Sequence, residues 1–155
     1  METPLKIVLG AKALLLAERG GALYTTRPEI PASEAIRTMC EQNVGCVLVI
    51  DNARLTGILS ERDVLRRIVD KGINPADVAV GDVMTKNVFT VEPSLTVEEA
   101  LAECTNRRIR HLPVIGDGEL LGLLSIGDLV RFALDDKDHD IADLMRYIHG
   151  QQIEI

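Results

Sequence analysis

The chain has no tryptophan, and only two tyrosines and two phenylalanines among 155 residues. That scarcity removes the stacking platforms with which proteins hold single-stranded nucleic acid. It also leaves leucine, isoleucine, valine and alanine to build an aliphatic core. Positive charge is short as well: 17 lysines and arginines face 24 aspartates and glutamates, for a formal charge of −7. A surface of that sign repels a phosphate backbone instead of releasing its counterions, so nucleic acid is not an expected partner. Cysteine is limited to Cys40, Cys46 and Cys104. Three thiols without CxxC spacing, each in an apolar pattern, read as small buried hydrophobes in a reducing compartment. No apolar run is long enough to span a bilayer; the most apolar stretch, residues 5–17, is broken by Lys6, Gly10 and Lys12 and lacks a signal-peptide cleavage site. We expect a cytoplasmic protein without membrane contact, in which residues 5–17 form an amphipathic helix at the edge of the core.

Several chemical signatures are absent too. There is no GxGxxG after a strand, no Walker lysine and no nucleophile elbow around a serine. His139 and His149 have no third ligand at metal spacing, and an Asp/His-rich tail reads as solvated surface. The sequence therefore points away from an enzyme and from a metal or catalytic cofactor.

What is present is a repetition. Residues 24–66 lie over residues 89–131 without a gap, with identities at Thr25/Thr90, Pro28/Pro93, Glu34/Glu99, Ala35/Ala100, Val49/Val114, Gly57/Gly122, Ser60/Ser125, Asp63/Asp128 and Arg66/Arg131. Two copies are too few for a solenoid and suit a pseudo-twofold pair with a cleft along its axis. In the first copy a short extended run at residues 23–26 precedes Pro31, which opens a helix carrying Ala35, Ile36, Met39 and Cys40 at helical spacing. Apolar runs at residues 46–50 and 55–60, separated by Asp51-Asn52, predict a hairpin of buried strands. A second helix follows Ser60 and stops at Gly72. The second copy repeats this order, with a Thr96-x-x-Glu99 capping box and a Gly116-Asp117-Gly118 turn. The expected fold class is α/β: two pseudo-twofold-related β-α-β-β-α units packed into one module. The expected limits are residues 5–72 for the first copy with its N-terminal helix and 80–135 for the second. Residues 73–79 form a linker and 136–155 a terminal amphipathic helix with Ile141, Leu144, Met145 and Ile148 on one face.

Gly-Ile-Leu-Ser60-Glu-Arg-Asp63 and Gly-Leu-Leu-Ser125-Ile-Gly-Asp128, with Arg110-His111-Leu112-Pro113-Val114 before the second, resemble the CBS domain family, regulatory modules of the cystathionine β-synthase type. Two in tandem form a Bateman module. The resemblance covers most of the chain and is nearest to short stand-alone two-CBS proteins. It implies a homodimer that binds AMP, ADP or ATP, or else NAD or S-adenosylmethionine, and signals energy or cofactor state to a regulated partner protein. The alternative is a ligand-independent interaction scaffold.

Taken alone, Ser60-x-x-Asp63 and Ser125-x-x-Asp128 are helix capping boxes. In the family such an Asp also accepts the two ribose hydroxyls, for which a carboxylate has two oxygens. Arg107 and Arg108 fit the negative end of a helix dipole. The resemblance instead makes Arg110 and His111 a phosphate-contacting pair beside Asp128. The first copy has Gly45 and Cys46 at those positions, so its phosphate contacts are expected from Arg62 or Arg66, or from the other copy, and the two sites are not expected to be equivalent. By the same resemblance Ile30, Ala35 and Val44 join Leu123 and Ser125 around adenine at the Asp128 site. Leu95, Thr96, Ala100 and Ile109 join Leu59 and Ser60 at the Asp63 site. For these aliphatic residues plain core packing is the competing role.

Overall fold

The computed structural model describes residues 2–19 and 23–151. Along the chain run α1 (Leu5–Arg19), β1 (Thr25–Thr26), α2 (Ala32–Gln42), β2 (Cys46–Asp51), β3 (Arg54–Ser60) and α3 (Glu61–Asp63), the last continuing as a π-helix over Val64–Val69. Then come the one-turn α4 (Val80–Val83), α5 (Val97–Arg107), β4 (His111–Gly116), β5 (Glu119–Ser125) and α6 (Ile126–Gln151).

The hairpins form where the apolar runs predict them. β2 and β3 pair antiparallel from Cys46↔Ser60 to Asp51↔Arg54, and β4 and β5 from His111↔Ser125 to Gly116↔Glu119. Both ladders slip at matched places, Val49/Ile50 and Val114/Ile115. The turns use left-handed backbone at Asn52 and Ala53 in one copy and at Asp117 and Gly118 in the other, which matches the twist of the flanking strands. β1 runs parallel to β2 (Thr26↔Val49); its counterpart in the second copy is a single parallel bridge, Val91↔Val114. The predicted strand before α5 is thus reduced to one pair. Helices α2 and α5 stop alike, at left-handed Asn43 and Arg108, whose N–H groups close onto the last turn.

The core has three parts. Leu59, Val47, Val49 and Ile68 fill the first copy, and Leu112, Val114, Leu124 and Leu129 the second. Cys46, Leu48 and Ile58 lie against Val88, Leu120 and Leu123 between the hairpins. Each fully buried leucine contributes roughly 1.5–3 kcal/mol relative to exposure.

One expected boundary is corrected. The sequence order attaches the N-terminal helix to the first copy, yet Leu5 and Val8 are buried in the core of the second. Conversely Val80, Val83 and Met84, grouped by sequence with the second copy or its approach, are buried in the first. The reason is backbone bonding. Leu5 N–H donates to Leu95 O and Val97 N–H to Thr3 O, just as Val80 N–H donates to Ile30 O and Ala32 N–H to Val78 O. Each sheet is covered by the segment leading into the other copy. The capping segments sit so close that a Cβ at Gly57 would collide with Met84 Sδ and lie 2.9 Å from the Thr85 carbonyl oxygen.

The backbone of α6 continues helically to Gln151. The expected apolar face at Ile141, Leu144, Met145 and Ile148 involves side chains outside the described residues, as does the chain after Gln151. No helix among the described residues is long and apolar enough to cross a membrane, and no group of metal-ligating side chains occurs among them.

Burial decides thiol reactivity. Cys46 is buried, and desolvation pushes its thiol up to about 12, while Cys40 lies exposed on α2. Because the thiolate is the reactive form, alkylation of the native protein at pH 8 is expected to mark Cys40 and spare Cys46 and buried Cys104. Peptide mapping by mass spectrometry checks this; rapid labelling of Cys46 in the folded state would contradict the packing.

Candidate functional site

Two clefts flank the shared core. The first forms around the Ser60–Asp63 turn and takes its far wall from the second copy: Thr85, Asn87, Val88, Phe89 and 107–111. Its volume is about 310 Å³, at the lower end of small-molecule pockets. Asp63, 7% exposed, is fixed from both sides. Its Oδ2 accepts from Ser60 N–H and Ser60 Oγ–H, both at 2.9 Å, and its Oδ1 accepts from Thr85 Oγ–H at 2.9 Å. Arg67 Nε stands 3.7 Å from Oδ1. The capping box is therefore real, and the carboxylate at the same time faces the cleft.

Basic side chains line this cleft. Arg62 Nη1 donates to the Arg108 carbonyl oxygen at 2.8 Å, tying the rim of one copy to the other. Arg107 lies 3.8 Å over the Phe89 ring and pairs with Glu103. Exposed Arg110 has no ion pair or hydrogen bond from its guanidinium among the described residues. His111 closes the inner end, and Glu61 is the opposing charge besides Asp63.

The second cleft, about 530 Å³, contains Asp128, Ser125, Leu123, Val44, Gly45 and His111, with Lys12, Leu9 and Ala13 of α1. Asp128 Oδ2 accepts from Ser125 N–H at 2.8 Å and from Lys12 Nζ at 2.7 Å. Burial raises the Asp128 carboxyl, but the Lys12 ammonium and the Ser125 bonds outweigh it and hold the group below its ordinary value.

The candidate residues are divided among these clefts, a separate cavity and the core. Arg110 lines the Asp63 cleft and not the Asp128 cleft. It precedes β4, and its carbonyl oxygen accepts from Ile126 N–H at 2.9 Å. His111 borders both clefts, its ring passing over Gly45, where a Cβ would lie 3.3 Å from Nε2. Ile30 and Ala35 line a separate cavity with Thr25, Arg27 and Glu34 that does not include Val44. Leu59 and Ala100 are sealed at 0% exposure, Thr96 caps α5, and Leu95 packs on the second core. Arg66 borders neither cleft. Ser60, Arg62 and Ile109 line the Asp63 cleft. Thr85, Asn87, Val88 and Phe89 were not foreseen; the Ile58↔Thr85 bridge, bonded in both directions, carries them in.

His111 is pushed below its ordinary value of about 6.5 by burial and by Lys12 and Arg110, against the opposite pull of Glu61 and Asp128. With the folded value below the unfolded one, the unfolded chain takes up the proton first as pH falls. The contribution of neutral His111 is complete above pH 6.5 and is lost as pH drops through the folded value. Denaturation titrations are expected to show stability falling from pH 7 to 5 less steeply in His111→Gln than in wild type; equal slopes would remove His111 as a cause.

Paired hairpin units, an exchanged covering segment and carboxylates at matched caps beside clefts between the copies define a tandem repeat of one β-α-β-β-α unit. The CBS domain model matches residues 22–70 and 80–135, and the chain belongs to this family. It is 38% identical over 122 residues to the CBS domain-containing protein CBSX3, mitochondrial, of Arabidopsis thaliana, covering 76% of this chain and 59% of that protein. The chain thus spans about three fifths of that relative's length. A solved structure of a protein with CBS domains from Burkholderia ambifaria MC40-6 superposes with a TM-score of 0.79 at 37% identity, over 86% of this chain and 96% of the other. CBSX2, solved in complex with AMP, superposes with a TM-score of 0.63 at 31% identity, over 74% and 90%. Proteins with such pairs are typically regulatory and nucleotide-binding, and typically non-enzymatic.

Proposed function

We propose that this chain is a regulatory module that binds an adenine nucleotide in the Asp63 cleft and changes its affinity for a partner protein in response. The observation that carries the reading is the juxtaposition of a capped, cleft-facing carboxylate with Arg110, supplied by the other copy and without an ion pair among the described residues. Asp63 and Thr85 Oγ meet the ribose hydroxyls. Arg110 and His111, with Arg62 and Arg108 at the rim, meet the phosphate, where a guanidinium binds two oxygens at once. Ile58, Val88 and Ile109 provide the apolar wall for adenine. AMP, ADP and ATP are the first candidates, NAD and S-adenosylmethionine the next; AMP is the ligand of the related CBSX2 structure.

A homodimer belongs to the same proposal. Leu65 and Val69 are exposed in the first copy and Val130 and Leu134 at the matched positions of the second. A pseudo-symmetric apolar face of this kind suits a second copy of the chain. Ligand then acts by favouring one arrangement of the copies over another.

Calorimetric titration of nucleotide-stripped protein with AMP, ATP, NAD and S-adenosylmethionine tests the proposal. Saturable binding of one supports it and names the ligand. Silence across all four overturns it in favour of the nucleotide-independent scaffold.

A further inference from the structure

The pseudo-twofold makes Asp63 and Asp128 equivalent in the repeat, and their surroundings break the equivalence. The covering segments match up to Met84 in one half and Leu9 in the other, each meeting the glycine of the strand beneath, Gly57 or Gly122. Beyond that point they part. After Met84 the chain leaves its single helical turn and brings Thr85 to Asp63, whereas α1 continues as a helix through Gly10 and carries Lys12 to Asp128.

The Lys12 ammonium donates to Asp128 Oδ2 and to the Leu123 carbonyl oxygen, each at 2.7 Å. Both partners are about three-quarters buried, with side-chain exposures of 26% and 29%. An ammonium presents N–H donors to the carboxylate as a vicinal diol presents O–H donors, and a charged donor binds more strongly than a neutral hydroxyl. It is therefore a strong competitor for the same acceptor. The cleft is otherwise roomy, and among the described residues no arginine lines it to attract phosphate.

We propose that Lys12 is an internal occupant of the Asp128 cleft: its ammonium holds the carboxylate a ribose needs, so nucleotide enters there only when α1 releases this contact. This rests on the nucleotide-binding reading above and adds to it an asymmetry, one open cleft and one latched. Release of α1, for example by a partner that engages it, turns a one-site protein into a two-site protein. The latch links residues 116 positions apart.

The test is calorimetric titration with AMP and ATP of full-length wild type, Lys12→Met and the double variant Lys12→Met/Asp128→Asn, with melting curves to verify folding. Asn keeps an oxygen for the Ser125 N–H, so the cap survives. Expected are one equivalent bound per wild-type chain and two per Lys12→Met chain. The second should be at least tenfold tighter than any second phase in wild type, and it should vanish in the double variant. An unchanged single equivalent in Lys12→Met, weaker binding by it, or a second equivalent that survives Asp128→Asn overturns the latch while the Asp63 site stands. Binding by Lys12→Met alone, lost in the double variant, supports the latch and overturns the Asp63 assignment. No binding by any of the three overturns both.

Discussion

Replacing Arg110 with alanine is expected to weaken adenine-nucleotide binding by about a hundredfold and to leave the melting temperature almost unchanged. The size follows from a bidentate guanidinium–phosphate contact: two charge-assisted hydrogen bonds at roughly 1.5 kcal/mol each give about 3 kcal/mol, or about two decades in affinity. The selectivity for binding follows from the free state. Arg110 is exposed and its guanidinium has no partner among the described residues, so its removal breaks nothing in the unliganded fold. Arg66→Ala, outside both clefts, serves as a control for lost surface charge. Calorimetry of the two variants side by side checks the assignment. Equal affinity of wild type and Arg110→Ala would show that the phosphate lies elsewhere.

Asp63→Ala is expected to cost both binding and stability. The carboxylate accepts from Ser60 N–H, Ser60 Oγ–H and Thr85 Oγ–H in a buried setting, and Arg67 stands beside it. Losing it leaves the Ser60 Oγ cap on the residue 63 N–H but removes the reciprocal half of the capping box, the acceptor of Ser60 N–H, for about 1 kcal/mol. It also strips the Ser60 and Thr85 hydroxyls of their acceptor, for about 2 kcal/mol more. A total of about 3 kcal/mol lowers the melting temperature of a chain of this size by roughly 6–12 °C. Asp63→Asn separates the two roles. Its amide oxygen still serves Ser60 N–H, so more of the stability returns, but it offers the ribose one acceptor instead of two, so binding stays weak. Thermal melts combined with titration of both variants would reject the dual role if Asp63→Asn restored affinity along with stability.

Much of the architecture was legible because its signals are local. The hairpins follow from apolar runs such as Cys46-Val47-Leu48-Val49 closed by residues that accept positive φ. The helix starts follow from Pro31, Ser60, Thr96 and Ser125, and the repeat itself from simple self-comparison. The site was legible only in part, because its members meet through the pseudo-twofold. Arg110 stands fifteen residues before Ser125 and reads as its neighbour, but the strand entry turns it to Asp63 in the other copy. Ala100 and Leu59 sit at positions where binding and core packing share one apolar pattern, and both are fully buried. Lys12 looked like an interruption of an apolar run. Nothing in its local pattern points to Asp128, since the contact depends on which copy α1 covers and on how far its helix continues.

The crossed covering segments make the two copies interdependent in a mechanical sense. A cut between them would leave one fragment with Leu5 and Val8 but no second sheet to cover, and the other with Val80 and Val83 but no first sheet. The halves are thus clasped like two hooks. A displacement of either segment strains the sheet it covers, so a change in one copy is felt in the other.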